Sequence, residues 1–128
     1  MNKPKARGTA FETAVVRYAR DNGFPTAERL ALHGGKDIGD IRLVSGVILE
    51  CKNHATYSDN DVEDWLQETE RERINGNADK ALLVVKRPYK SVGRAWAIHA
   101  HYRTGAPVYM YLSDALHVYD EAGYGDPL

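Results

Sequence analysis

The sequence predicts an α/β domain, a small mixed β-sheet flanked by helices, and three observations predict it. Phe11, Ala14, Val15, Tyr18 and Ala19 recur at i, i+3, i+4, i+7 and i+8, an apolar stripe of helical period. Asp40–Val44 and Val47–Lys52 flank a Ser45-Gly46 turn, the pattern of a β-hairpin. Ala81–Val85 is an unbroken aliphatic run of strand length, which reads as a strand covered on both faces.

The elements follow in order. The first helix spans about Thr9 to Asn22: Thr9 with Glu12 three residues on fits a capping box, and Asn22-Gly23 followed by Pro25 supplies the stop. Thr26 to Leu32 alternates as a first strand, and His33-Gly34-Gly35-Lys36 is a flexible loop before the hairpin. Asp59 to Asn75 forms a second helix with Val62, Trp65, Leu66 and Thr69 on one side, ended by Asn75-Gly76-Asn77. Beyond the Ala81–Val85 strand and a basic loop, Ala95–Tyr102 and Val108–Leu112 read as strands, and Ser113 caps a short final helix. The order is therefore α-β-β-β-α-β-β-α. At 128 residues it makes one domain, with a core that buries about two thirds of the unfolded surface.

Composition excludes several classes. The longest aliphatic run is Ala81–Val85, far short of the roughly 20 residues that span a bilayer, so no membrane is expected as a partner. Met1–Arg7 is hydrophilic and carries no apolar signal region. The single cysteine, Cys51, excludes an internal disulfide and a Cys-rich zinc site, and points to a reducing, cytoplasmic setting. His99-x-His101 lacks a third zinc ligand. The net charge of −1 hides a sorted chain. Residues 55–79 hold eight acidic and two basic side chains, whereas residues 80–112 hold six basic and none acidic. Such blocks can present one cationic and one anionic face, while the near-neutral total argues against a purely electrostatic DNA binder.

The segment that carries chemistry is Gly39-Asp40-Ile41 followed by Glu50-Cys51-Lys52. Strand side chains alternate, so Glu50 and Lys52 share one face and Leu49 and Cys51 the apolar other. A tight hairpin sets Asp40 beside Glu50. Two close carboxylates repel without a cation, and a hard divalent ion such as Mg²⁺ takes oxygen ligands and phosphate. A lysine on the same face can orient water or neutralise developing charge.

This segment resembles the PD-(D/E)XK nuclease signature, with Gly39 in place of the proline. Together with Gly8-Thr9-Ala10-Phe11-Glu12 and Arg20-Asp21-Asn22-Gly23-Phe24, it is similar to archaeal-type Holliday junction resolvases and their phage-encoded relatives, over about residues 6–86. The resemblance implies a restriction-endonuclease-like α-β-β-β-α-β core and four catalytic residues: Glu12, Asp40, Glu50 and Lys52. It further implies Mg²⁺ (with Mn²⁺ as a substitute) held by Asp40, Glu50 and Glu12. The expected activity is that of a homodimer which nicks opposing strands of a four-way DNA junction and leaves 5′-phosphates. A prokaryotic or phage source is implied in the same way. Other expectations are a nuclease of the same superfamily acting on flaps, single strands or a defined duplex sequence, a module that holds branched DNA without cutting, and an RNA-directed hydrolase.

DNA contacts are expected from Lys86, Arg87, Lys90 and Arg94 in the basic loop, with Tyr89 available to stack on an opened base. Lys3, Lys5 and Arg7 are expected as a mobile basic arm over residues 1–8, and Lys36 as a further contact. Asp37 reads as loop structure, Cys51 and Trp65 as packing, His54 as a solvent-facing histidine, and Gln67 as a possible neighbour of the site. Trp96 and Tyr109 are the candidates for a dimer surface.

Overall fold

The computed structural model describes residues 3–31 and 36–125, without the side chains of residues 3–7. Helix α1 covers Lys3–Asp21, followed by strands β1 (Glu28–Arg29), β2 (Ile41–Val44) and β3 (Val47–Lys52). Helix α2 (Asp59–Asn75) leads to β4 (Lys80–Val85), β5 (Trp96–Ala100), β6 (Pro107–Tyr111) and helix α3 (Leu112–Glu121). The six strands form one sheet in sequence order. Every neighbouring pair is antiparallel except β3 and β4, which run parallel because α2 carries the chain back between them.

Alternation along the strands divides the core in two. On one face Val15 and Val16 of α1 and Ala115 and Leu116 of α3 cover Ile41, Leu43, Leu49, Leu82, Val84 and Ala97. On the other face Val62 of α2 is buried with Leu83, Val85 and Ile98, and Trp65, Leu66 and Trp96 pack around them. β4 thus supplies Leu82 and Val84 to one side and Leu83 and Val85 to the other, as its continuous apolar run predicts.

The bounds of α2 and the hairpin match the sequence reading closely, and the termini of other elements do not. Helix α1 starts at Lys3 rather than Thr9, so residues 3–8 of the segment expected as a mobile arm are helical, and residues 1–2 lie outside the described residues. Pro4 falls in the first turn, where a missing N–H is tolerated. Thr9 is therefore interior, and its capping box with Glu12 does not form. The capping box that does form belongs to α2: Ser58 Oγ accepts from the Asp61 N–H and Asp61 accepts from the Ser58 N–H. The first strand shortens to Glu28–Arg29. β5 stops at Ala100 because His101 Nδ1 accepts from the Arg103 and Thr104 N–H groups and turns the chain. α3 begins at Leu112 with Tyr111 as N-cap, two residues before the Ser113 cap expected.

Candidate metal centre

Asp40 lies immediately before β2. Its N–H donates to the Leu49 carbonyl (3.0 Å), and its Oδ2 accepts from the Cys51 N–H (2.8 Å). These two bonds bracket Glu50 and hold Asp40 against β3. Gly39 reaches this docking with a φ of +108°, a conformation closed to the proline of the resembled signature, whose ring holds φ near −65°. An added Cβ there would also lie 3.1 Å from Ile48 Cδ1. The departure from the signature is thus tied to the path of the chain into Asp40.

Glu50 and Lys52 leave β3 toward α2. Glu50 is 3% exposed, and Lys52 Nζ stands 3.4 Å from its Oε2. The same ammonium is 3.0 Å from Glu68 Oε2 on α2 and 5.8 Å from the ring centroid of Trp65, one turn earlier. Burial works against the Lys52 charge, but Glu68 and Glu50 outweigh it and hold its pKa above the ordinary value. Trp65 also contacts His54 and Tyr57, at centroid distances of 4.9 and 5.5 Å. It is packing and a wall of the site at once.

Glu72 follows Glu68 by one helical turn and is 2% exposed. While the group is ionised, neither of its carboxylate oxygens has a donor to accept from, nor does Glu50 Oε1; when protonated, Glu72 can share its proton with Glu50 and Asp37. Asp37, Glu50, Glu68 and Glu72 each offer a ligand atom, all within 4.8 Å of one another. Buried orphan acceptors are costly. Burial pushes the Glu50 carboxyl far up, with Asp40 and then Glu72 adding to the effect and Lys52 opposing it. Burial likewise raises Glu72, reinforced by the charge of Asp37. A cation would relieve both. The group can hold a metal ion, and its all-oxygen donors suit a hard divalent one.

Glu12 stands at the α1 side of this centre, paired with Arg29 Nε at 3.3 Å. Burial and the Asp40 charge raise its carboxyl against the pull of Arg29. The structure therefore brings Glu12, Asp40, Glu50 and Lys52 into one region, but Glu12 and Asp40 lie outside the four-carboxylate group. Cys51 packs in the α1-side core, and burial pushes its thiol well up.

Asp37, read as loop structure, faces the centre, and Glu68 and Glu72 were missed in the sequence. One signal was available: Glu72 lies ten residues after Val62, seven after Trp65 and three after Thr69, in the apolar stripe of α2. A carboxylate on a buried face calls for an explanation. Gln67 is instead exposed.

Beside β3, a cleft of about 330 Å³ runs between α1 and the basic loop, lined by Phe11, Ala14, Asn53, Lys86, Arg87 and Lys90. Arg87 is anchored: its guanidinium lies 4.2 Å from the Trp96 centroid and 5.6 Å from that of Tyr111. Arg94 lies off the cleft, 5.5 Å from the Tyr111 ring. Tyr89 is fully exposed at the loop tip, and Lys36 is exposed before Asp37. The side chains of Lys3, Lys5 and Arg7, and residues 32–35, lie outside the described residues. No family model matches the chain, and no curated protein or solved structure matches it.

Proposed function

We propose that this protein is a Mg²⁺-dependent, structure-selective DNA endonuclease of restriction-endonuclease-like fold, acting on four-way junctions as a homodimer. The observation that carries the reading is the docking of Asp40 onto β3 through the Cys51 N–H, which sets it beside buried Glu50 with Lys52 Nζ 3.4 Å from Glu50. Asp40, Glu50 and Glu12 would hold the cation and its waters. A divalent ion there supplies a Lewis-acid contact to a phosphate oxygen and an acidified water.

The protein's own groups fit hydrolysis of a phosphodiester. Lys52, flanked by Glu50 and Glu68, keeps its proton. It therefore serves as a charged donor that orients water or stabilises negative charge on phosphorus, not as a base. Glu12 accepts hydrogen bonds and is positioned by Arg29. The cleft lined by Lys86, Arg87 and Lys90 suits a phosphate backbone led past the end of β3. A four-way junction has near two-fold symmetry, which a C2 dimer with two such sites would match. Tyr109, 42% exposed beside Trp96, remains the candidate for the dimer surface.

The test is strand cleavage of a labelled synthetic four-way junction in Mg²⁺, beside linear duplexes of the same arms and the Asp40→Asn protein. Paired symmetric nicks on the junction alone are expected. Asp40→Asn should abolish cutting while keeping or tightening junction binding, because a carboxylate that repels phosphate is gone. Cutting of every substrate would retain the nuclease and discard junction selectivity. Tight binding with no cutting in Mg²⁺ or Mn²⁺ would identify a module that holds branched DNA without cleaving it.

A further inference from the structure

Helix α2 brings more carboxylate to the centre than the nuclease reading uses. Asp37, Glu68 and Glu72 gather around Glu50, and among the described residues Lys52 is the one ammonium that pairs with members of this group, Glu50 and Glu68. Glu72 is the telling residue: it is almost wholly buried, points into the group, and once the carboxyls are ionised neither of its oxygens has a hydrogen-bond donor. A fold does not keep such a group without a reason. Arg71 lines the adjoining groove, yet among the described residues it forms no ion pair with these carboxylates.

We propose that Asp37, Glu68 and Glu72, together with Glu50, form a second site for a hard divalent cation, separate from the Asp40 side of Glu50. The spacing fits. Two oxygens bound to one ion can be no further apart than twice the bond length, about 4.2 Å for Mg²⁺ and up to about 5 Å for Ca²⁺. All four ligand atoms lie within 4.8 Å of one another. Access is separate as well: a groove of about 350 Å³, lined by Asp37, Glu68, Arg71, Glu72, Ile74 and Asn75, opens onto this side.

The ligands are held before any ion arrives. Asp37 Oδ1 accepts from the Gly39 N–H (2.9 Å), and its carbonyl accepts from Asn75 Nδ2 (3.1 Å) at the end of α2. An ion at this position would therefore tie the chain leading into Asp40 to helix α2. Glu68, drawn toward the ion, would leave the Lys52 ammonium to Glu50 alone. The inference rests on the proposed nuclease centre only in that both use Glu50.

The experiment reads ion binding, not cleavage. The full chain is titrated with Mn²⁺, free ion being followed by its electron paramagnetic resonance, for the wild type and for Asp37→Asn, Glu72→Gln and Asp40→Asn. The expected result is two Mn²⁺ per wild-type chain and one class lost, or weakened at least about tenfold, in Asp37→Asn and in Glu72→Gln. Asp40→Asn should spare that class and lose the other. Wild-type stoichiometry and affinity in both Asp37→Asn and Glu72→Gln would overturn the proposal. Unchanged binding in Asp40→Asn alone would instead count against the nuclease centre. Asp37 sits in an exposed loop, so its variant folds whatever becomes of the buried one. In EDTA both variants should melt no lower than wild type, since each removes a repelled carboxylate, and lower melting in both would mark the carboxylates as structural and overturn the ion site.

Discussion

At the scale of single residues, the centre is governed by carboxylates that burial and one another keep from ionising freely. Glu50 and Glu72 both have raised folded-state pKa values, burial being the larger cause in each. Above the ordinary value of 4.5 the unfolded chain releases protons that the folded protein still holds. Their contribution to stability is then fully present below 4.5 and is lost as pH rises toward the raised values. In EDTA the melting temperature should accordingly fall with rising pH over this window. Mn²⁺ or Mg²⁺ binds the ionised carboxylates of the folded state, so its stabilisation should be larger at about pH 8.5 than at about pH 5.5. Thermal melts with and without ion check both signs. Melting temperatures that rise with pH in EDTA would show that these carboxylates do not limit the fold.

At the scale of elements, α2 has two tasks. Its apolar stripe covers the sheet through Val62, and the same stripe, continued by one more step, delivers Glu72 to the centre. Its start is set by Ser58 and Asp61, which cap each other's backbone N–H groups. Ser58→Ala should cost about 1 kcal/mol in urea denaturation, with the m-value unchanged. A loss near zero would mean that packing against the sheet alone defines the start of the helix. The bounds of this helix were legible because a turn signal, an apolar period and a glycine stop agree within one segment. The start of α1 was not, because Thr9-x-x-Glu12 imitates a cap that the helix runs straight through.

At the scale of the whole molecule, the sheet separates the charge blocks noted along the chain. The acidic α2 lies on one face, and the basic loop closes a cleft against α1 of the other. The basic residues are not equivalent. Lys90 is exposed at the cleft, whereas Arg87 packs over Trp96 and Tyr111. Lys90→Ala should weaken DNA binding and lower the salt dependence by about one ion, with stability unchanged. Arg87→Ala should lose stability as well, because its stem and guanidinium pack on the rings. Filter binding across a salt series, beside melting curves, distinguishes them. An unchanged salt slope for Lys90→Ala would remove the cleft from the DNA path.

What the sequence determined by itself was local. A two-residue alternation and a tight turn suffice to put Glu50 and Lys52 on one face and Asp40 beside them. An unbroken aliphatic run suffices to bury β4 on both sides. The tertiary structure alone decided what meets that hairpin. Glu68 and Glu72 come from a helix whose rotation about its axis is set by Val62 against Leu83, Val85 and Ile98. Asp37 arrives because Asn75, 38 residues away, holds its carbonyl. Periodicity tells which side of an element is buried, but only the packing of distant elements tells which buried side chains face each other.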